Sequence, residues 1–111
     1  MSWDVEYLPE VLKDLRELDG SQRKIVRKAI DKVSENPLPV SEGGLGKPLG
    51  NKHGNNLTGL LKIKLRSTGI RIVYKIIRED NNMIIIVIGV REENEVYDNA
   101  KQRATKYKLI P

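Results

Sequence analysis

Three segments in the second half of the chain have the residue pattern of β-strands, and they cover Leu60–Arg66, Ile70–Arg78 and Met83–Val90. The first two alternate apolar and polar residues with a period of two. The third is a nearly unbroken run of Ile, Val and Met, which is typical of a strand buried on both faces. The pattern therefore predicts a sheet in which the third segment is a central strand.

The first half of the chain shows helical periodicity instead. After a short predicted strand at Trp3–Leu8, Pro9 suits the first turn of a helix, where no backbone N–H is needed. Its apolar stripe is formed by Val11, Leu12, Leu15 and Leu18. A second helix is expected over Gln22–Glu35 with Ser21 as N-cap, and its apolar stripe is formed by Ile25, Ala29, Ile30 and Val33. The two helices should form a hairpin with a tight turn.

A segment rich in Gly, Asn and Pro, residues 37–58, separates the helices from the strands and predicts a long loop of the functional or mobile kind. A short closing helix is expected over Glu95–Lys106. The order is then β-α-α-β-β-β with a final helix. Because helices cluster early and strands late, the sequence predicts an α+β fold with the helical hairpin packed on a twisted antiparallel sheet. Residues 1–111 should form a single domain.

Composition excludes several classes of protein. The 111 residues include no Cys and only one His, His53, so disulfides, cysteine metal sites and multi-histidine metal sites are ruled out. No metal or other cofactor is expected. The first residues do not resemble a signal peptide, and the longest apolar run, Met83–Val90, is far below the ~20 residues that span a bilayer. We expect a cytoplasmic protein.

The positive charge of the chain is concentrated in the first two predicted strands. The formal net charge is +5, and six basic residues with no acid lie between Lys62 and Arg78. Alternation places Lys62, Lys64 and Arg66 on one face of the first strand and Arg71 and Lys75 on one face of the second, with Arg78 outside this group. Such crowding of like charges destabilises a sheet, so it favours a site for an anion such as an RNA phosphate. The alternative is a solvated face whose side chains extend into water.

The length of the turn between these strands decides whether the two basic faces coincide. A loop of two residues, Thr68-Gly69, or of four residues keeps the basic faces on the same side of the sheet. A three-residue loop would place Ile70 opposite Arg66 and mix the basic and apolar faces. An even-numbered loop is therefore predicted, pairing Arg66 with Arg71 if it has two residues.

Metal-independent RNA cleavage needs a base for the 2′-hydroxyl, donors that stabilise the charged phosphorane, and an acid for the 5′-oxygen. Crowded positive charge can lower a lysine pKa enough for the amine to act as a base. The basic strands provide two lysines with arginine neighbours, which are planar donors for phosphate oxygens. His53 lies in a Gly/Asn segment without an evident carboxylate partner, which favours an ordinary surface residue.

Two motifs resemble those of the RelE toxins in the RelE/ParE superfamily. The segment Lys62-Ile63-Lys64-Leu65-Arg66-Ser67-Thr68-Gly69-Ile70-Arg71-Ile72-Val73-Tyr74 is similar to the central motif of that family. The segment Gly89-Val90-Arg91-Glu92-Glu93-Asn94-Glu95-Val96-Tyr97 is similar to its second signature. The resemblance implies a RelE-like fold and an mRNA endoribonuclease toxin of a type II toxin–antitoxin pair. Such toxins bind the ribosomal A site, with 16S-type rRNA as a partner, and cut the mRNA there. A cognate antitoxin neutralises them.

The resemblance also implies roles for individual residues. Lys64 matches the general base, Lys62 a lysine that steadies the phosphorane, and Arg71 the arginine that grips the phosphate. Arg91 matches an arginine for leaving-group protonation or charge stabilisation. Tyr97 matches a tyrosine that positions the nucleotide by stacking or hydrogen bonding.

Further basic residues complete the expected RNA-binding surface, and one part of the motif departs from the family. Arg66 and Lys75 extend the surface on the strands. Where relatives carry a basic residue after a Lys-Leu pair, this chain has Lys47-Pro48-Leu49-Gly50, so Lys47 or Lys52 would supply the charge. Two rival functions stay open: a ParE-like inhibitor of DNA gyrase, and an RNA-binding or inactive homologue without catalysis.

Overall fold

The computed structural model describes residues 2–52, 54–90 and 93–110. Two helices follow a short first strand, and the other six of the seven strands in the described residues come after them. The elements are β1 (Asp4–Tyr7), α1 (Pro9–Arg16), α2 (Gly20–Ser34), β2 (Lys47–Pro48), β3 (Asn51–Lys52), β4 (Asn55–Asn56), β5 (Leu61–Leu65), β6 (Ile70–Ile77), β7 (Asn82–Gly89) and α3 (Glu93–Lys106). The α+β class is confirmed. No helix among the described residues is long and apolar enough to cross a membrane.

The main sheet has the strand order β1-β7-β6-β5-β2. The third predicted strand, β7, lies between two neighbours and is interior, as its composition indicated. The pairings among β2, β5, β6 and β7 are antiparallel, as predicted, whereas β1 pairs with β7 in parallel, with Asp4 opposite Asn82. Both helices and strands β2 to β6 lie between β1 and β7, a connection long enough for the two strands to run in the same direction.

The basic hairpin has a four-residue turn, so the predicted even-numbered loop is confirmed. Leu65 pairs with Ile70 and Lys64 with Arg71. The two-residue alternative, which would have paired Arg66 with Arg71, was wrong. Gly69 adopts a φ of 74°, which favours glycine, and its N–H donates to the Leu65 carbonyl at 2.8 Å. Arg66 consequently lies in the turn rather than on the strand.

Both helices form where they were predicted, but their caps and buried faces differ in detail. Asp19, not Ser21, is the N-cap of α2: its carboxylate accepts from the Gln22 N–H at 2.8 Å, and the Gln22 side chain accepts from the Asp19 N–H at 3.0 Å. Val26 is fully buried, whereas Ile25 is 37% exposed. In α1, likewise, Val11 is buried and Leu12 is 52% exposed.

The segment predicted as a long loop contains short regular elements. A 3-10 turn at Val40–Glu42 leads to the edge strand β2, and β3 and β4 form a small hairpin. The segment closes around Tyr74 of β6, whose hydroxyl donates to the Pro37 carbonyl at 2.8 Å. A side chain at Gly46 would meet that hydroxyl at 2.1 Å. Tyr74 is therefore a core residue, and it anchors this segment to the sheet.

Replacing Tyr74 with phenylalanine should destabilise the fold by about 1–2 kcal/mol, because the buried Pro37 carbonyl loses its donor. Burial raises the pKa of the Tyr74 hydroxyl well above its ordinary value, so the group stays protonated and donates at neutral pH. Urea unfolding would measure the loss. Tyr7→Phe is the matched control, because Tyr7 is 40% exposed, and a similar loss in that variant would contradict the assignment.

Candidate active site

Four cations occupy two neighbouring rows across the sheet. Lys47 of β2 lies opposite Lys62 of β5, and Lys64 of β5 lies opposite Arg71 of β6. Neighbouring strands are about 4.8 Å apart, so each cation has another across one strand spacing. The structure thus brings together the predicted residues Lys47, Lys62, Lys64 and Arg71 on one face, which we call the basic face.

Tyr97 of α3 reaches this face. The Lys62 ammonium donates to the Tyr97 hydroxyl at 3.0 Å, and its nitrogen lies 5.7 Å from the ring centroid. The two residues are 35 positions apart in sequence, and the contact joins the two motifs of the sequence. Tyr97 is fully buried. In this conformation the ring is not free to stack on a base, and its hydroxyl is the group directed to the site.

Helix α3 packs on the same side of the sheet as the basic face. Gly89 continues the row of Lys64 and Arg71 onto β7, and a side chain there would meet Val96 of α3 at 2.7 Å. Val73 and Val87, in the row of Lys62, are buried. The basic face is therefore divided: α3 covers its β7 side, while Lys64 near the β5 end is exposed. An exposed strip beside a helix suits an extended polymer.

The remaining predicted residues have varied environments. Arg66 and Lys47 are exposed, and Lys52 lies in the β3–β4 hairpin. Lys75 is half-buried and donates to the Leu109 carbonyl after α3, so it holds the end of the chain against the sheet. Arg91 and His53, which the sequence also singled out, lie outside the described residues. The side chains described include no cluster of three His, Asp or Glu residues suited to a metal ion.

The sequence did not indicate the residues that hold α3 in place. Arg103 forms a bidentate ion pair with Asp14 of α1, with N–O distances of 2.6 and 3.0 Å. One turn further along α3, the Lys106 ammonium and the Tyr107 hydroxyl donate to the Glu10 carboxylate at 3.0 and 2.9 Å. We call this group (Glu10, Asp14, Arg103, Lys106 and Tyr107) the α1–α3 clamp. The only available signal was the matching spacing of acids on α1 and bases on α3, which is also common on solvated helices.

The contacts of Glu10 with Lys106 and Tyr107 should make the free energy of unfolding depend on pH. The hydrogen bond from Lys106, with a smaller one from Tyr107, holds the pKa of Glu10 below its ordinary value. The stabilisation is then present above the unfolded-state pKa of about 4.3 and is lost as the pH falls through the folded-state value. Glu10→Gln should flatten the acid limb of stability, measured by urea unfolding from pH 7 to 3.

Salt provides the control for that experiment. The Glu10–Lys106 ion pair is partly exposed, so its attraction should be screened at about 1 M NaCl. The difference between wild type and Glu10→Gln should therefore shrink at high salt. An acid limb of the same slope in both proteins would show that this contact does not contribute to acid sensitivity.

The fold and the site define a class: a small α+β domain whose sheet presents crowded cations beside a tyrosine from the last helix. A sequence profile described as the ParE toxin of the type II toxin–antitoxin system, parDE, matches residues 5–97. The chain is 32% identical over 103 residues to the mRNA interferase toxin RelE of Escherichia coli K12, covering 93% of this chain and 98% of that protein. The mRNA interferase RelE of Shigella flexneri matches over the same shares.

Solved structures give the same result. A double mutant of Escherichia coli RelE in the free state superposes with a TM-score of 0.70 at 30% identity, covering 93% of this chain and 98% of that one. A form of the same toxin in complex with an antitoxin RelBc peptide has a TM-score of 0.64 at 29% identity, covering 90% and 95%. The chain belongs to the RelE/ParE family of type II toxin–antitoxin toxins.

Proposed function

We propose that this toxin is an mRNA endoribonuclease that cuts codons in the ribosomal A site and thereby arrests translation in the cytoplasm. The observation that carries the proposal is the basic face, where Lys62, bonded to Tyr97, is next to the Lys64–Arg71 row. Relatives that cover nearly the whole chain are named mRNA interferases. Residues 1–111 would act as one toxin domain.

The proposed reaction is a transesterification without a metal ion. Lys64 removes the proton of the 2′-hydroxyl, whose oxygen attacks the adjacent phosphorus while the bond from phosphorus to the 5′-oxygen breaks. The leaving 5′-oxygen takes a proton, for which Arg91 is the proposed donor or charge partner. The products are a 2′,3′-cyclic phosphate and a 5′-hydroxyl end. This use of a lysine base follows general acid–base catalysis.

The remaining residues would stabilise charge and position the substrate. The phosphorane gathers negative charge on its equatorial oxygens, and Lys62 and Arg71 are fixed donors for that charge. Because Tyr97 is buried with its hydroxyl on Lys62, we propose that it orients this ammonium and hydrogen-bonds the nucleotide rather than stacking on it. Arg66, Lys47, Lys52 and Lys75 are proposed to lengthen the phosphate-binding surface.

The proposed partners are a ribosome with mRNA in its A site and a cognate antitoxin. Solved relatives include a toxin bound to an antitoxin peptide and an intact RelBE toxin–antitoxin complex. An antitoxin that neutralises this toxin would be expected to reduce access to the basic face. We propose that the two proteins form a hetero-oligomer.

A second candidate function is inhibition of DNA gyrase, because the profile that matches carries the name ParE. The two functions differ in what a toxin surface must do: gyrase inhibition needs no proton-transfer group, whereas RNA cleavage does. The crowded lysine and arginine side chains at Lys62, Lys64 and Arg71 therefore favour RNA cleavage.

Cleavage mapping separates the candidates. The toxin is added to a reconstituted translation system, and the 5′ ends of the mRNA are mapped; supercoiling by gyrase is measured in parallel. We expect ribosome-dependent cuts within codons and normal supercoiling. A Lys64→Ala/Arg91→Ala variant should not cut, whereas Lys28→Ala, on the exposed face of α2, should. Intact mRNA together with inhibited supercoiling would refute the proposal.

A further inference from the structure

The α1–α3 clamp closes an edge of the main sheet. Strand β1 pairs with residues Asn82–Ile85 of β7, and no other strand in the described part of the chain lies on that side of β7. There Asp14 accepts from the Ile88 N–H at 3.0 Å, and Arg103 donates to the Ile86 carbonyl at 3.0 Å. The ion pair thus also satisfies two backbone groups, with Arg103 13% and Asp14 10% exposed. It fixes α1, β7 and α3 relative to one another.

The apolar contacts of α3 come from few side chains. Among its described residues, Val96, Tyr97, Ala100 and Ala104 are buried, and the two alanines contribute little apolar area that would fix the rotation of the helix. The hydrophobic effect is not directional. A bidentate arginine–carboxylate pair is directional, because two parallel hydrogen bonds fix the planes of both groups. The Asp14–Arg103 pair therefore adds a directional constraint on the rotation of α3.

We infer that the Asp14–Arg103 pair is a positioning device for the candidate active site. Arg103 and Tyr97 lie six residues apart on one rigid helix, about 9 Å along its axis. The pair sets the rotation of α3, and that rotation places the Tyr97 hydroxyl on the Lys62 ammonium at 3.0 Å. Asp14 and Arg103 act only through Tyr97 and do not touch the RNA. The inference rests on the proposed function for its kinetic consequence, but not for its structural one.

The structural consequence can be tested without measuring RNA cleavage. Nuclear Overhauser contacts between the Lys62 side chain and the Tyr97 ring are measured in the full chain. We expect Arg103→Gln to lose them while its circular dichroism stays that of a folded protein. The control is Arg78→Gln, which breaks another bidentate pair, at 2.9 and 2.7 Å to Glu42, between segments other than α1 and α3. The Arg78→Gln variant should keep the Lys62–Tyr97 contacts.

The kinetic consequence is a loss in kcat rather than in KM. A displacement of about 1 Å in a positioned group can cost 10²-fold in rate, so we expect Arg103→Gln to lower kcat for ribosome-dependent cleavage by about 10- to 100-fold. In a Tyr97→Phe background, the same substitution should have almost no further effect, because the hydroxyl through which it acts is gone. Arg103→Lys keeps the positive charge but not the two parallel hydrogen bonds of the guanidinium group, so it should recover part of the rate.

Two results would overturn the inference. One is a folded Arg103→Gln protein with unchanged Lys62–Tyr97 contacts. The other is a kcat loss that multiplies fully with that of Tyr97→Phe. If Arg103→Gln does not fold, Arg103→Lys is measured in the same way and must weaken the contacts. If the wild-type toxin does not cut mRNA, the proposed function fails, and the magnetic resonance measurement alone decides the role of the pair.

Discussion

Lys64→Ala should lower the rate of mRNA cleavage by about 10²- to 10⁴-fold, which is the usual contribution of a general base. Lys64 is exposed on the open strip of the basic face, in the row that also contains Arg71. In the proposed mechanism it can therefore approach a 2′-hydroxyl while Arg71 binds the adjacent phosphate. Single-turnover cleavage on programmed ribosomes is the measurement, because it isolates the chemical step from product release.

A Lys64→Arg variant separates the role of base from a purely electrostatic role. Arginine keeps the positive charge but is effectively never deprotonated, so the arginine variant should be nearly as slow as the alanine variant. Lys28→Ala on α2 controls for the loss of one exposed charge and should cut at close to the wild-type rate. Full activity in Lys64→Arg would reassign Lys64 to charge stabilisation and leave the base to be found elsewhere.

The basic face could be predicted from sequence because strand periodicity and turn parity are local properties. Alternation assigned Lys62, Lys64 and Arg71 to one side, and the need to keep apolar faces together excluded a three-residue turn. Strand alternation and turn parity both act within the β5–β6 hairpin, and the observed β5–β6 register confirms both predictions. Arg66 was placed wrongly because a two-residue and a four-residue loop satisfy the same parity.

The helix faces and caps show the limit of local pattern. Ile25 and Val26 are both apolar, and successive helical residues differ by about 100° in direction, so a stripe alone does not say which one points inward. The tertiary packing of the helix buries Val26 instead. Similarly, Asp19 and Ser21 are both good caps, and the capping box with Gln22 selects Asp19.

The features that complete the candidate site are long-range, and this is why the sequence did not indicate them. The parallel pairing of β1 depends on where two helices return the chain, and the Arg103–Asp14 pair joins positions 89 residues apart. Lys62 and Tyr97 were each expected from the resemblance, but the contact between them, and the burial of the tyrosine ring, follow from how α3 seats on the sheet. The proposed catalytic residues follow from local sequence motifs, whereas the contacts that position them are long-range.

Removal of the Asp14–Arg103 pair, to which we assign that seating, should cost more stability than removal of the other described ion pairs. Arg103→Ala leaves the Asp14 carboxylate partly buried without its cation and the Ile86 carbonyl without its donor. Breaking a buried ion pair from one side costs about 3 kcal/mol or more. We expect a loss of about 3 kcal/mol for Arg103→Ala and a similar loss for Asp14→Ala, measured by urea unfolding at pH 7.

The double variant distinguishes a true pair from two independent contributions. If the two groups stabilise the fold mainly through each other, Asp14→Ala/Arg103→Ala should cost much less than the sum of the single losses, with a coupling energy of about 2 kcal/mol. The Glu42–Arg78 pair has the same bidentate geometry, but its side chains are 43% and 55% exposed, so its cycle should show much weaker coupling. Additive losses at Asp14 and Arg103 would mean that each acts through its own backbone contact, to Ile88 and to Ile86, and that the ion pair itself does not hold α3 to α1.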